Sequence, residues 1–331
     1  MHGVAWQETI RAVRNQPLGR GVYFQAVTPD RRLRAVQAFH SIFYAPLSVA
    51  IHGGHFRAEG LEVEPAGALG GGTVDALLRG DADVSLSGIM RSFELRDRGG
   101  ARLVHFAGVN DRNGFFLLSR EPHAAFTWPD LVGRTVISFG GAPTPWLCMH
   151  AVLRRHGVDP ARVRFRRDLG TPEAVAAFRA GQGDFIEHGP PVVDQLMADG
   201  TGHLVASMGD ATGPVPFSSF MATPETLAKR RDEIVRFVRG LYRAQRWMAS
   251  SGAGEIAAVV APAFADIEPA IRVAAIDRYL RQSTWARDPV LTQTGYDTLQ
   301  EILRGAGFIT RPHPFEDLVD TEIARQVVGG Y

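Results

Sequence analysis

Four stretches of the chain carry side chains able to bind or react: Phe39-His40-Ser41-Ile42-Phe43-Tyr44, Gly70-Gly71-Gly72-Thr73, Phe139-Gly140-Gly141-Ala142-Pro143-Thr144 and Glu187-His188. In the first, Phe39, Phe43 and Tyr44 offer rings that stack on a planar ligand, and His40 adds a hydrogen-bonding imidazole. The plainer alternatives are a ring packed in the core and a His40 bonded to a backbone carbonyl. Gly71, Gly72 and Thr73 precede a helix and could present N–H groups to an anion, or form a simple loop with an N-cap. Ser138, Gly140, Gly141 and Thr144 stand at a second such helix start, whose free N–H groups would suit a sulfonate, carboxylate or phosphate. Glu187 and His188 read as an acid/base pair, or as partners for a ligand amine or amide. Ser87 and Gly88 end a short apolar run. Arg91, one turn later, reaches a ligand or is simply an exposed helix arginine. Asp210 is either a cleft residue or a solvated turn.

The elements that must position these residues alternate between strand and helix. A strand, Leu33–Ala38, feeds the aromatic loop; a helix, Ala45–His52, follows, and Gly53-Gly54 stops it because glycine tolerates positive φ. A strand over Leu61–Glu64 comes next. The same order repeats with Val84–Ser87, Arg134–Ser138, Val163–Arg167 and Phe185–Glu187, each followed by a helical stretch. Open α/β sheets hold their ligands beyond the carboxyl ends of strands, which is where all four stretches fall. Asp210–Phe217 reads as a Gly/Pro-rich turn and Ser218–Ala222 as a returning strand. Thr223-Pro224 starts a helical region that runs on to an irregular tail near Phe315–Ile323. In Met1–Arg32 the pattern predicts a short helix over Trp6–Val13 and a short strand over Val22–Ala26.

Other chemistries find little support. His52 and His55 have a helical ligand spacing, but the glycines between them break the helix; His150 and His156 would face different sides. No metal site and no cofactor are expected. The single cysteine, Cys148, falls inside a helix and reads as a buried thiol. Neither a Gly-x-Ser-x-Gly elbow nor a P-loop is present.

The run Gly54-His55-Phe56-Arg57-Ala58-Glu59-Gly60-Leu61-Glu62-Val63 fits the pattern G-x-F-x-x-x-G-L-x-V. With Gly80-Asp81-Ala82-Asp83-Val84 and Leu131-Val132-Gly133-Arg134-Thr135-Val136, it makes the chain resemble the solute-binding proteins for sulfonates, nitrate and thiamine-precursor pyrimidines. The resemblance spans nearly everything from residue 33 to about Phe308. It implies two α/β lobes joined by two crossover strands, the periplasmic-binding-protein fold, with lobe 1 over residues 33–116 and 220–331 and lobe 2 over 117–219. Residues 1–32 form an N-terminal extension. It also implies that the C-terminal helices pack against lobe 1.

The resemblance further implies capture of a small planar or anionic organic solute (a sulfonate, pyrimidine or aromatic acid) with hinge closure, and delivery to an ABC-type permease. Phe39, His40, Tyr44, Ser87, Gly88, Gly71, Gly72 and Thr73 would contact it from lobe 1. Ser138, Gly140, Gly141, Thr144, Glu187 and His188 would close over it from lobe 2. The alternative is a cytoplasmic enzyme on the same fold, a lyase, decarboxylase or hydrolase with His40, Glu187 and His188 as acid/base groups. The pyrimidine-synthase branch uses a lysine-bound pyridoxal phosphate and a cysteine-rich motif. Here the one lysine is Lys229, outside the expected cleft. A related sulfinate-cleaving enzyme is similar in fold and uses a first-loop cysteine, where this chain has His40-Ser41.

Composition bounds the rest. A chain of 331 residues with 45% hydrophobic and 21% charged residues is long enough for two lobes with substantial cores. Its net charge of +1 argues against a nucleic-acid partner. No apolar run reaches the length of a membrane span, so no membrane insertion is expected. Residues 1–32 lack the apolar centre of a secretory signal. The compartment is then periplasmic if an export signal was removed, or cytoplasmic if Met1 is the native start.

Overall fold

A computed structural model of the protein describes residues 31–330; the helix and strand expected within residues 1–30 lie outside them. Two five-stranded sheets organise the chain. The first has the order β2-β1-β3-β10-β4, with β1 (Arg32–Gln37), β2 (Glu62–Ala68), β3 (Val84–Ser87), β4 (Val104–Asn110) and β10 (Ser218–Ala222). The second has the order β7-β6-β8-β5-β9, with β5 (Phe116–Ser119), β6 (Thr135–Ser138), β7 (Arg164–Arg166), β8 (Phe185–His188) and β9 (His203–Ser207).

In each sheet the strand that has just arrived from the other lobe runs antiparallel to its neighbours. β10 pairs antiparallel with β3 and β4, and β5 with β8 and β9, whereas β1 pairs parallel with β2 and β3, and β6 with β7 and β8. The carboxyl ends of β1, β3, β6 and β8 and the amino ends of β5 and β10 therefore share one side of their sheets, where open α/β sheets bind ligands. The chain crosses between sheets over residues 111–115 and returns before Ser218, which puts Phe116 in the second sheet and residues 218–219 in the first. The expected boundaries shift by those few residues.

The helices follow from apolar periodicity and from local stops. Those of seven residues or more are α1 (Ala45–His52), α2 (Thr73–Arg79), α3 (Met90–Asp97), α4 (Pro143–Arg155), α5 (Thr171–Arg179), α6 (Val192–Ala198), α7 (Arg231–Ser250), α8 (Ala253–Val260), α9 (Pro269–Gln282), α10 (Gln293–Gly305) and α11 (Glu322–Gly329). Where a Gly/Pro-rich turn was expected after β9, Met208–Thr212 makes a helical turn, because the Ser207 hydroxyl accepts from the Asp210 amide at 2.9 Å. The expected irregular tail ends in α11, whose Ile323, Ala324 and Val327 are buried on one face against α7.

Of the C-terminal helices, α7, α8 and α11 pack on the first lobe as expected, but α9 and α10 also reach the second. α9 packs against α6 and α10 against α4, both in the second lobe. The Arg278 guanidinium of α9 meets Asp194 of α6 at 2.8 Å, with the carboxylate side chain only 1% exposed. One hydrophobic cluster joins Ile89 and Phe93 of the first lobe to Leu147 and Cys148 of the second through Tyr296 and Leu299 of α10.

Phe43 packs where both crossovers meet. A Cβ on Gly114, in the first crossover, would stand 2.3 Å from the Phe43 ring, and that ring is also hemmed by Tyr44, Phe217 and Tyr279. Overpacking of this kind costs about 1–3 kcal/mol. Gly114→Ala is expected to lower unfolding free energy by about that amount in chemical denaturation; an unchanged midpoint and slope would contradict this packing.

Candidate functional site

A cavity of about 390 Å³ lies between the lobes, a size typical of small-molecule sites. Much of its wall comes from strand ends and crossovers. Phe39–Tyr44 follow β1, Gly88 follows β3, Phe139 follows β6, and His188 to Pro191 end β8. Phe115 and Phe217 precede β5 and β10, and Phe264 and Tyr279 come from the C-terminal region.

Ser41 shapes the aromatic loop. It is extended (φ −151°, ψ 144°), and its hydroxyl accepts from the Phe43 amide at 3.2 Å, which turns Ile42–Tyr44 into a short helical turn running into α1. The turn splits the rings: Tyr44 is buried, Phe43 fills the crossover junction, and Phe39 reaches across the cavity to Phe139, edge to face at 5.6 Å. Phe115 meets Phe139 at 5.1 Å and His40 stacks on Phe264 at 4.8 Å. The cavity is thus walled by aromatic rings from both lobes.

Its fixed charge is a single guanidinium. Arg91, on the first turn of α3, gives its Nε–H to Ser87 Oγ at 3.0 Å and forms no ion pair among the described residues. Burial lowers its pKa, yet arginine stays charged at any relevant pH. The one carboxyl among the residues lining the cavity, Asp266, is exposed. Tyr44, Thr144 and Tyr279 bring hydroxyls on nearly buried side chains, and none has a hydrogen-bond partner among the described residues. Burial raises the pKa of both tyrosines, so both remain neutral phenols.

Of the residues singled out in the sequence, Phe39, His40, Tyr44, Gly88, Thr144 and His188 line the cavity, and Gly71, Gly72, Thr73, Ser87, Ser138, Gly140, Gly141 and Glu187 do not. Gly70–Gly72 forms a short helical turn, with Gly71 beside the Arg91 guanidinium. Ser87 acts on the cavity only through Arg91. A Cβ on Gly140 would stand 2.6 Å from the Arg167 carbonyl, and one on Gly141 would strike the Phe139 ring, so both glycines serve packing. The expected anion cradle at the start of α4 is half blanked: Pro143 and Pro145 carry no N–H, and only Thr144 offers one in the first three positions.

Glu187 is corrected by the pleat. Successive strand residues point to opposite faces, so His188 faces the cavity while Glu187 turns into the second lobe, fully buried and paired in register with Ser138. Neither of its carboxyl oxygens has a hydrogen-bond partner among the described residues. Burial pushes its pKa up to about 7, against the lowering influence of the nearby Ser138 hydroxyl and Arg167 guanidinium. Its charge, after burial, helps push the Cys148 thiol up to about 12, leaving an unreactive thiol.

His40 holds both plainer and functional positions. Its Nε2–H donates to the Ala263 carbonyl at 2.7 Å and its Nδ1 faces the Gln37 amide at 3.4 Å, while the ring lines the cavity. An acid/base set of His40, Glu187 and His188 is therefore not assembled. Asp210 pairs with Arg112 at 3.3 Å, away from the cavity. The decisive residue that sequence reasoning set aside is Arg91; the glycine after β3 was the signal that the next turn opens on the cleft. Phe264 carried no such signal.

Two lobes built this way, with a ligand-sized cavity at the crossovers, define the periplasmic-binding-protein fold. Within it, the chain belongs to the NMT1/THI5-like family, whose profile matches residues 42–252. It is 31% identical over 299 residues to YtlA of Bacillus subtilis (strain 168), described as a binding protein, covering 89% of this chain and 90% of that one. Among solved structures it is similar to the alkanesulfonate-binding protein SsuA from Xanthomonas axonopodis pv. citri bound to MOPS. That match has a TM-score of 0.66 and 18% identity, over 88% of this chain and 98% of the other. The periplasmic nitrate-binding protein NrtA from Synechocystis PCC 6803 gives a TM-score of 0.66 at 13% identity, over 91% and 89%.

The Glu187 shift sets a pH dependence. Between an unfolded value near 4.5 and a folded value of about 7, the folded state holds a proton that the unfolded state has lost. Stability from this group is complete below pH 4.5 and is lost as pH rises towards 7, by roughly 3 kcal/mol at most. His188, lowered by burial to about 4, acts in the opposite sense between pH 4 and 6.5. The difference between wild type and Glu187→Gln isolates the carboxyl: the variant's relative stability should climb from pH 4.5 to 7.5 in denaturant titrations. A flat difference would place the carboxyl in a solvated setting.

Proposed function

We propose that this protein reversibly captures a small organic anion with a planar, aromatic body, and that it does so outside the cytoplasm for delivery to an ABC-type permease. The observation that carries this reading is Arg91: a partly buried guanidinium without a carboxylate partner among the described residues, at a cavity otherwise walled by rings. A partly desolvated cation gains from a counter-charge in contact with it, and an anionic ligand supplies one beyond the weaker attraction of Glu94. The hydroxyls of Tyr44, Thr144 and Tyr279 give hydrogen bonds to the same ligand, and Phe39, Phe139, Phe115 and Phe217 sandwich its body.

The sulfonate and nitrate named for the two structural neighbours support an oxyanion as the charged group, and the periplasmic setting of the nitrate-binding one supports the compartment. The commitment of both His40 nitrogens within the protein supports binding over turnover.

Calorimetric titration with benzenesulfonate, benzoate and methanesulfonate tests the reading. Wild type should prefer the aromatic anions to methanesulfonate. Arg91→Gln should lose about tenfold to a hundredfold in affinity for benzenesulfonate, the range for a hydrogen-bonded charge contact. Equal affinity in wild type and variant, with correct folding by circular dichroism, would refute an Arg91-anchored anion.

A further inference from the structure

Resting on the capture reading above, we infer that Thr171 donates a hydrogen bond into the cavity, and that the ligand therefore carries an acceptor distinct from the anionic group held at Arg91. The argument starts at the backbone amide of Gly189, whose hydrogen has a fixed direction and points at His188 Nδ1 across 2.9 Å. A nitrogen that receives an N–H must offer its lone pair. The Gly189 carbonyl also lies near Nδ1, at 3.2 Å, but a proton placed there would face the amide hydrogen. Nδ1 is thus the bare nitrogen of a neutral ring. Neutrality is enforced by burial, which lowers the His188 pKa to about 4.

In that tautomer the proton is on Nε2, and Nε2 stands 3.1 Å from Thr171 Oγ1. The imidazole donates, and the threonine oxygen accepts. The hydroxyl hydrogen of Thr171 is then left over, and Thr171 has no other hydrogen-bond acceptor among the described residues while it lines the cavity. Thr171 is only partly buried, so this spare donor on the cavity wall is free to serve a ligand acceptor in place of water. His188 is a positioning residue here: it touches no charge, but it fixes which way Thr171 points its proton.

The arrangement sorts ligands by polarity at one spot. A carbonyl, ether, nitro or aromatic nitrogen fits at Thr171; an ammonium fits poorly, since it would face a second donor. Because Arg91 belongs to the first lobe and Thr171 to the second, a ligand with both an anion and a remote acceptor joins the two lobes, and one with the anion alone holds only the first.

The test has two arms. In the first, long-range proton–nitrogen NMR of histidine-labelled protein at pH 6.5 should show His188 neutral with the proton on Nε2. An imidazolium or an Nδ1–H ring overturns the inference. In the second, wild type is titrated with 4-acetylbenzenesulfonate and the shape-matched 4-isopropylbenzenesulfonate. Wild type should favour the acetyl compound by about fivefold to tenfold. Thr171→Val should erase that preference and Thr171→Ser should keep it. Binding of both probes with no preference, or a preference that survives in Thr171→Val, overturns the inference and leaves the capture reading intact. Failure of wild type to bind either probe counts against the capture reading and removes this one with it.

Discussion

The carbonyl and ring of Phe43 hold the point on which the rest of the structure depends. Its carbonyl accepts two hydrogen bonds, from Asn110 Nδ2 at 2.9 Å and from Trp285 Nε1 at 3.0 Å. Asn110 ends β4 and in turn accepts from the Ser218 hydroxyl at the start of β10. One backbone oxygen therefore ties the aromatic loop, the outgoing strand, the returning strand and the segment after α9 together. The Phe43 ring covers Gly114 in the first crossover and meets Phe217 in the second. The cavity opens directly beside this junction, so the rings that wall it take their positions from groups whose backbone partners are already fixed. A buried junction with satisfied polar groups and a bare glycine under the ring leaves little freedom for the loop.

From that junction the C-terminal helices spread to both lobes. α9 meets the second lobe through the buried Arg278–Asp194 pair, and α10 through Leu147 and Cys148. Removing one partner of a buried ion pair is costly, about 3–5 kcal/mol, so any separation of the lobes must either carry these helices with the second lobe or break that pair. Asp194 also bears on the opening equilibrium through its protonation, since burial raises its pKa even against the attraction of Arg278. Hinge motion at residues 111–115 and before Ser218 is thus restrained by contacts well away from the hinge, and ligand contact from both lobes has to be weighed against them.

The fold was legible because its signals are local and redundant. The apolar runs at Val84–Ser87 and Ser218–Ala222 match their strands residue for residue, and α1 matches its predicted bounds. Glycine and proline punctuate each of them. The site was legible only to the level of which loops contribute, since a strand end can be placed from sequence while the face a side chain takes depends on where the strand begins. β8 begins at Phe185 as expected but runs on through His188 rather than stopping at Glu187, so the pleat turns Glu187 inward and His188 to the cavity, the reverse of an adjacent acid/base pair. The start of α4 shows the same limit: its glycines suggested an anion cradle, but two prolines remove the donors such a cradle needs. Phe264 and Tyr279 join the site from positions more than two hundred residues from the aromatic loop, a proximity no periodicity encodes.

What the cavity offers chemically is decided by bonds made outside it. His40 spends its N–H on a carbonyl, and His188 spends its own on Thr171, with Nδ1 taken by a backbone amide. Both imidazoles have their two ring nitrogens engaged within the protein, and burial holds the His188 ring neutral. What remains to face a ligand is a guanidinium and a set of hydroxyls whose hydrogens are free to turn inward, set among aromatic surfaces. A donor-rich, ring-walled space of this kind is what the capture reading rests on. The bonds made outside the cavity therefore decide which donors are left to meet what fills it.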